Sequence, residues 1–135
     1  MSEEGIGQEE RTLQYMQDYY QNQYMVLQQS MENASHALSE MRETLEAINN
    51  AQMISGKEML SSIGAGMLVK TNTGETDSIM TEVGGGFYIE KDIEEAKLYI
   101  SKSIASQENL IKKLSEGIER VKRAIIDTAA KLDNL

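Results

Sequence analysis

The chain has 135 residues, about the size of one domain, so a single folded unit covering residues 1–135 is expected. It contains no cysteine and one histidine, which excludes disulfides, thiol nucleophiles and a metal site built from cysteine and histidine. Its formal net charge of −9 disfavours nucleic acid as a partner, because a phosphate backbone repels an acidic surface.

The beginning of the chain, MSEEGIGQEERT, is acidic, whereas a secretory signal is basic and then apolar. No later run approaches the roughly 18 apolar residues typical of a membrane span. We therefore expect a cytoplasmic protein that makes no membrane contact, and the absence of cysteine agrees with a reducing compartment.

The segment from about residue 9 to residue 54 is predicted to form one long helix, the first coiled-coil arm. Its apolar residues recur at alternating spacings of four and three, the heptad pattern that a partner helix must cover. We call these positions the first seam: Tyr20, Tyr24, Leu27, Met31, Ala34, Leu38, Met41, Leu45 and Ile48. Leu13 and Met16 continue the seam toward the N-terminus after a stutter in the spacing.

The middle of the chain, residues 58–90, is predicted to form paired β-hairpins. It holds six of the ten glycines, and each would cost about 1 kcal/mol inside a helix. The phrase IGAGMLVK at residues 63–70 returns as VGGGFYIE at residues 83–90. This repetition predicts two equivalent hairpins with strands near 59–62, 67–71, 78–83 and 86–90. The bends are assigned to Gly64, Gly66, Gly84 and Gly86.

The repeated Gly-x-Gly also invites comparison with a dinucleotide-binding loop. That fingerprint needs a third glycine and a following helix, whereas Val69 and Ile89 stand at the third position and strand-like residues follow. His36, between Ala34 and Leu38, is expected on a solvated face, and nothing groups carboxylates with a nucleophile. We therefore expect no cofactor, no metal and no enzymatic activity.

The last segment, residues 92–135, repeats the heptad design and is predicted to be the second coiled-coil arm. The second seam consists of Ile100, Ile104, Gln107, Ile111, Leu114, Ile118, Val121, Ile125, Thr128, Leu132 and Leu135. Asp92 followed by Glu95 forms a capping-box arrangement at the start of the helix. The two arms either fold back on each other or pair with another copy. Folding back is favoured because the intramolecular partner is present at high effective concentration.

The order of helix, doubled hairpin phrase and helix resembles the archaeal-type α-class subunit of prefoldin over nearly the full length. The resemblance implies an α+β fold, a long antiparallel two-helix coiled coil with two short β-hairpins at the connecting end. It implies that the hairpins form a β-barrel platform in a hexamer of two α-class and four β-class subunits. It also implies an ATP-independent chaperone whose coiled-coil tips hold unfolded polypeptides and pass them to a cytosolic group II chaperonin.

The hairpins favour oligomerisation on physical grounds as well, because two-stranded hairpins are marginal alone and expose unpaired edges. The alternative is that some of the apolar side chains on these strands cover the root of their own coiled coil. The predicted interface set is Met67, Val69, Ile79, Val83, Phe87 and Ile89.

Apolar residues near the two chain ends are the candidates for binding unfolded polypeptides, because exposed apolar groups offer non-directional contacts to many sequences. We call them the tip set: Leu13, Met16, Tyr19, Tyr20, Ile125, Ile126, Ala129 and Leu132. Most of these belong to the seams or continue them, and the alternative is burial between the helices. Tyr19 and Ile126 lie outside the seams and are therefore the most informative members.

A different class of function is also compatible with this pattern. The chain could be a structural or tethering coiled-coil protein, whose hairpins set the oligomeric state while the arms bind one folded partner. Promiscuity separates the two hypotheses, because a chaperone protects several unrelated unfolded proteins and a tether does not.

Overall fold

The computed structural model describes residues 3–135, with side chains for residues 7–51 and 53–135. Helix α1 spans Glu3–Asn49 and is followed by a short 3₁₀ helix at Ala51–Ile54. A second long helix follows two β-hairpins, and this order of elements confirms the predicted α+β fold. The remaining elements are β1 (Glu58–Gly64), β2 (Met67–Asn72), β3 (Ser78–Gly84), β4 (Phe87–Asp92) and α2 (Ile93–Asp133).

The helix boundaries of α1 differ from those expected. The α-helix begins at Glu3, ahead of the predicted start near residue 9, and it ends at Asn49, where residue 54 was expected. The last residues of the predicted arm form the 3₁₀ turn, a common way for a helix to tighten at its C-terminus.

The chain divides into two compact units, and the first combines the chain up to Leu38 with Ser106–Leu135. In this unit Nε2 of Gln107 donates a hydrogen bond of 3.0 Å to the carbonyl oxygen of Ala34. Further along, a Cβ atom placed on Gly117 would lie 3.7 Å from Cδ1 of Leu27. The contact with the lower residue number on α1 has the higher residue number on α2, so the helices pair antiparallel within one chain.

The seam residues of the first unit are covered as the heptad pattern requires, except for Leu135, which is exposed. From Tyr20 to Leu38 on α1, and from Gln107 to Leu132 on α2, every seam side chain is buried or half-buried. Ala34 leaves room in the seam because its side chain is small, and Gln107 fills that room and satisfies its amide on the backbone of α1.

The second unit, Ser39–Ala105, has its core where the two helices meet the hairpins. We call this core the root cluster: Ile48, Ala51, Ile93 and Ala96. Ile79 of β3 and Ile100 of α2 pack against it. The cluster therefore holds the second hairpin onto the helices by apolar contact.

Helix α2 starts at the predicted cap. Oδ1 of Asp92 accepts a hydrogen bond of 2.7 Å from the backbone N–H of Glu95. This bond satisfies one of the backbone donors that the first turn leaves unpaired, and the acids Glu94 and Glu95 complement the positive end of the helix dipole. The prediction that Asp92 caps this helix is confirmed.

Hydrogen bonds also tie the loop between β2 and β3 to the segment that follows α1. The hydroxyl of Thr76 donates to the carbonyl oxygen of Ala51 at 2.6 Å, and the N–H of Thr73 donates to the carbonyl oxygen of Lys57 at 2.9 Å. The hydroxyl of Thr73 also donates to the carbonyl oxygen of Ile54. The connection between the two hairpins is thereby fixed to the 3₁₀ turn.

Candidate functional site

The two hairpins are built in the same way, as the repeated phrase predicts. β1 pairs with β2 and β3 pairs with β4, each as an antiparallel two-stranded sheet. The last pairs before the turns are Gly64 with Met67 and Gly84 with Phe87. Both turns therefore contain two residues, the tightest loop that joins antiparallel strands.

Backbone conformation explains the glycines at these turns. Positive φ is found at Gly64, Gly66, Gly84 and Gly86, and also at Ala65 and Gly85 between them. Positive φ at both central residues defines the type I′ turn, whose twist matches that of the flanking strands. The register shifts by one residue beside each turn, which leaves Ile63 and Val83 as bulges. Strands follow both turns, so the Gly-x-Gly phrases lack the helix of a dinucleotide loop.

The predicted interface residues share one face of their hairpins. Met67 and Val69 alternate along β2, while Ile79 on β3 and Phe87 and Ile89 on β4 alternate in the second hairpin. We call this side the first face. Phe87 is 73% exposed, and every other member except Ile79 is exposed too.

Ile79 is the exception, since it packs against the root cluster. The alternative of covering the root of its own coiled coil therefore applies to this residue. The second hairpin is thus anchored at the end near α2 and leaves the end near its turn uncovered.

The opposite side of each hairpin carries a smaller apolar pair that the sequence reasoning missed. Leu60 and Leu68 lie there on the first hairpin, and Met80 and Tyr88 occupy the equivalent positions on the second. All four are exposed. Charged residues are their cross-strand neighbours on the same face, since Lys70 pairs with Leu60 and Glu90 pairs with Met80. The adjacent apolar letters in MLVK and GFYIE were the available signal, because neighbours in a strand point to opposite faces.

The tip set lies in the first unit, and its members differ in exposure. Leu13 is buried, while Met16, Tyr20, Ile125, Ala129 and Leu132 are half-buried. Tyr19 and Ile126 are 54% and 66% exposed, as expected for positions outside the seams. The Tyr19 and Tyr20 rings meet edge to face with centroids 5.6 Å apart.

Three further exposed apolar residues of α1 were absent from the tip set. Tyr15 is 74% exposed, Met25 is 69% exposed and Val26 is also exposed. The signal for them was their position outside the first seam, which places a residue on the far side of the helix from its partner.

The part of the chain that the structure describes was also searched for a metal site and for a membrane-spanning helix. No group of three or more His, Cys, Asp or Glu side chains there is arranged to hold a metal ion. Among the described residues, none of the helices combines the length and the hydropathy that a membrane span requires. The exposed apolar surfaces on the hairpins and on the first unit are therefore the candidate functional sites.

These features define a class of protein: an assembly subunit in which two heptad helices flank a pair of apolar hairpins. Residues 20–135 match the sequence profile described as Prefoldin subunit. The chain therefore belongs to the prefoldin family. Membership makes it a chaperone-type subunit.

Individual relatives agree with this assignment. The chain is 27% identical over 121 residues to prefoldin subunit alpha of Pyrococcus horikoshii, covering 88% of this chain and 82% of that protein. It is 29% identical to prefoldin subunit alpha of Methanococcus vannielii, covering 86% and 83%. It is also 28% identical to prefoldin subunit 5 of Arabidopsis thaliana, covering 77% and 69%.

A solved structure shares the fold. The filamentous PFD of Methanocaldococcus jannaschii, determined by cryo-EM, superposes with a TM-score of 0.75 at 21% identity. The match covers 87% of this chain and 98% of that one. At this identity the comparison concerns the fold alone.

Proposed function

We propose that this chain is a subunit of an ATP-independent holdase, which captures unfolded polypeptides through exposed apolar residues of the first unit. The observation that carries the proposal is the exposure of Tyr19 and Ile126, which lie outside the seams, while the seam side chains from Tyr20 to Leu38 and from Gln107 to Leu132 are covered. Exposed apolar side chains on a coiled coil bind many sequences, because apolar contacts are non-directional. Family membership among chaperone-type subunits supports the same function.

The hairpins supply assembly in this proposal. Their first face leaves Phe87, Met67 and Val69 in water, and the two-stranded sheets have open edges. Both features favour association with further hairpins, which cover the apolar face and pair the edges. We propose β-class prefoldin subunits as the partners, two α-class with four β-class chains forming a β-barrel platform.

The captured polypeptide is proposed to pass to a group II chaperonin in the cytoplasm. Transfer requires that binding be weak enough to reverse, and contacts made by a few half-exposed side chains meet this requirement. The tip set, with its alternative of burial in the seam, remains the predicted client site.

The test begins with co-expression of the chain and a candidate β-class subunit, with light scattering to measure the mass of the complex. The complex is then added without ATP, at near-stoichiometric amounts, to several unrelated denatured proteins whose aggregation is followed by turbidity. A holdase suppresses aggregation of all of them. Suppression of none, together with binding to one folded partner, would identify the tethering protein.

A truncation localises the activity. Removing residues 1–16 and 126–135 deletes Leu13, Met16, Ile126, Ala129 and Leu132 but keeps the heptads from Tyr20 to Ile48 and from Ile100 to Ile125. We expect the truncated chain to assemble at its correct mass and to lose aggregation suppression. Full suppression by a truncated complex of native mass and helicity would place the client site elsewhere. Handover is tested separately, by adding a group II chaperonin and measuring release of a labelled client.

A further inference from the structure

The two hairpins have equivalent backbones but different charges. Their registers match each residue of the first hairpin with the residue twenty positions later in the second. Three matches make the second hairpin more negative: Ser62 with Glu82, Lys70 with Glu90 and Asn72 with Asp92. Two make it more positive: Glu58 with Ser78 and Thr71 with Lys91. Glu58 and Lys70 thus leave the first hairpin without net charge, whereas three acids against Lys91 leave the second with a net charge of −2.

The acidic side chains of the second hairpin lie together on one side. Glu90 pairs with Met80 and Glu82 pairs with Tyr88. Cross-strand partners project from the same side of a sheet, so both acids lie opposite the first face, on a side that we call the second face. Both are exposed. Lys91, the one basic residue of these two strands, directly follows Glu90 and therefore lies on the first face.

Positive charges elsewhere in the second unit do not pair with these two acids. Residues 39–105 contain 11 acidic and six basic residues, and the basic ones are Arg42, Lys57, Lys70, Lys91, Lys97 and Lys102. Among the described residues, none of the six forms an ion pair with Glu82 or Glu90. Oε1 of Glu90 accepts a hydrogen bond of 2.8 Å from the neutral hydroxyl of Ser78. Both carboxylates are therefore without a direct counter-ion in their own unit.

The open edges of the hairpins bring these charges beside any strand that is added. Each hairpin is a separate two-stranded sheet, so each of its strands has one unpaired edge. A residue of an added strand lies about 5 Å from the residue opposite it, measured between Cβ atoms. Opposite charges at such a position are stabilising, and like charges are destabilising. Glu82 on β3 and Glu90 on β4 therefore favour a neighbour with basic side chains on the same side.

A second copy of this chain is a poor source of that neighbour. Its β3 and β4 would set Glu82 and Glu90 against like charges, and its β1 carries Glu58 on the second face. Only β2 carries a base there, Lys70, and its Nζ already lies 3.9 Å from Oε1 of Glu58 in its own hairpin. Three of the four strands are thus unsuitable, which favours a strand from a different subunit.

Protection of the edge does not account for the charge difference. Charged residues on an open edge also discourage aggregation, and lysine serves this purpose at least as well as glutamate. The matched positions nevertheless carry opposite signs, Lys70 on the first hairpin and Glu90 on the second. A reversal of sign at an edge changes which neighbour is accepted, because specificity comes from repelling one partner as well as attracting another.

We propose that Glu82 and Glu90 select the neighbour of the second hairpin, and that this neighbour is a strand of a β-class subunit with lysine or arginine on the side of the second face. The first hairpin, whose second face has no net charge, makes no such selection. The proposal rests on the assembly proposed above and adds which partner strand the second hairpin accepts.

The test uses the full-length chain assembled with a β-class subunit, and light scattering over a dilution series gives the concentration at which the complex dissociates. Glu82→Lys with Glu90→Lys should raise this concentration about tenfold or more, because two attractive pairs become repulsive. Glu82→Gln with Glu90→Gln keeps an acceptor for the Ser78 hydroxyl and should raise it by a smaller factor. Both effects should shrink as salt is raised. Wild-type dissociation of the lysine variant at low salt would overturn the proposal.

Glu75→Lys with Asp77→Lys is the matched control. It makes the same change in net charge on exposed residues of the loop between the hairpins, outside the strands. The control should dissociate at the wild-type concentration. If it weakens the complex as much as the strand variant does, overall charge rather than Glu82 and Glu90 governs assembly, and the selection is overturned.

An exchange of charges between the partners tests the identity of the neighbour. A β-class variant with glutamate in place of the basic residues of its hairpin strands should lose assembly with the wild-type chain. It should regain assembly with the Glu82→Lys and Glu90→Lys variant. A β-class subunit that assembles normally without any basic residue on its hairpin strands would contradict the proposal.

Two outcomes separate this selection from the assembly on which it rests. If the wild-type chain and the lysine variant form the same complex with equal affinity, Glu82 and Glu90 select nothing and the proposed assembly stands. If the wild-type chain forms no complex with a β-class subunit at any salt concentration, the proposed assembly itself fails and the selection with it.

Discussion

The coiled-coil segments and the hairpins of this chain differ in where their apolar side chains find cover. Along α1 and α2 the seam side chains from Tyr20 to Leu132 are buried or half-buried within one chain. In the four strands no residue is fully buried. The helices are therefore complete as an intramolecular pair, whereas the hairpins are folded but uncovered, and for this reason we propose them as the surface through which the chain assembles.

The largest effect is expected from charged substitutions on the hairpins. Phe87→Asp or Val69→Asp places a carboxylate on the first face, and burying an unpaired charge in an apolar interface is strongly unfavourable. We expect loss of the assembled mass in light scattering, while circular dichroism shows helicity close to that of the wild type. Both side chains are exposed in the single chain, so the substitutions should change the stability of its own fold little.

Lys70→Asp is the control for this experiment. Lys70 neighbours Val69 but points to the other face, and its ion pair with Glu58 is long at 3.9 Å and exposed. Such a pair contributes little stability, so the variant should assemble. Wild-type mass for both Phe87→Asp and Val69→Asp would show that the first face is not the interface.

A second prediction compares how much a root-cluster side chain and a hairpin side chain contribute to the stability of the chain. Ile48→Ala removes a buried side chain from the root cluster and should destabilise the isolated chain by about 3 kcal/mol. Ile89→Ala, at a half-exposed hairpin position, should cost less than about 1 kcal/mol in the same chain. Chemical denaturation followed by circular dichroism measures both. Equal losses would mean that the hairpin is as well packed as the root.

The next smaller effect on stability is expected from a substitution at the N-terminal cap of α2. Asp92→Ala removes the acceptor of the 2.7 Å bond from the Glu95 N–H, and we expect a loss of about 1 kcal/mol in the free energy of unfolding. Asp92→Asn keeps a side-chain oxygen and should retain most of the stability. If alanine and asparagine behave alike, the bond contributes nothing measurable.

The smallest expected effect is a gain in the coiled coil. Gly117 lies inside α2, and a Cβ atom there would sit 3.7 Å from Leu27, an ordinary contact distance. Gly117→Ala should therefore raise the free energy of unfolding by up to about 1 kcal/mol through helix propensity. Thermal unfolding detects this as a higher midpoint. A lower midpoint would indicate that the helices need the space at this position.

Much of the fold was predictable because its signals are periodic or local. The heptad spacing predicted both helices and which of their faces are covered, and the doubled phrase predicted both hairpins with their bends near Gly64 and Gly84. The start of α2 followed from Asp92 and Glu95. The end of α1 was less predictable, because apolar residues near a helix terminus serve an α-helix and a 3₁₀ turn equally well.

The candidate sites were only partly predictable, because exposure depends on what lies opposite a residue. Ile79 and Ile89 are the same type of residue and lie on the same face of the second hairpin. Ile79 nevertheless packs against the root cluster, whereas Ile89 is exposed. Tyr15, Met25 and Val26 were overlooked because a search for seams selects the residues that are covered.

Sequence alone determined the secondary elements of this protein, their order and the equivalence of its hairpins, because heptads, caps and glycine turns act over a few neighbouring residues. Only the tertiary structure decided that the arms pair within one chain and in which register, as the bond from Gln107 to Ala34 shows. It also decided which apolar residues the pairing leaves in water. Both depend on contacts between residues far apart in the chain, and no local pattern encodes them.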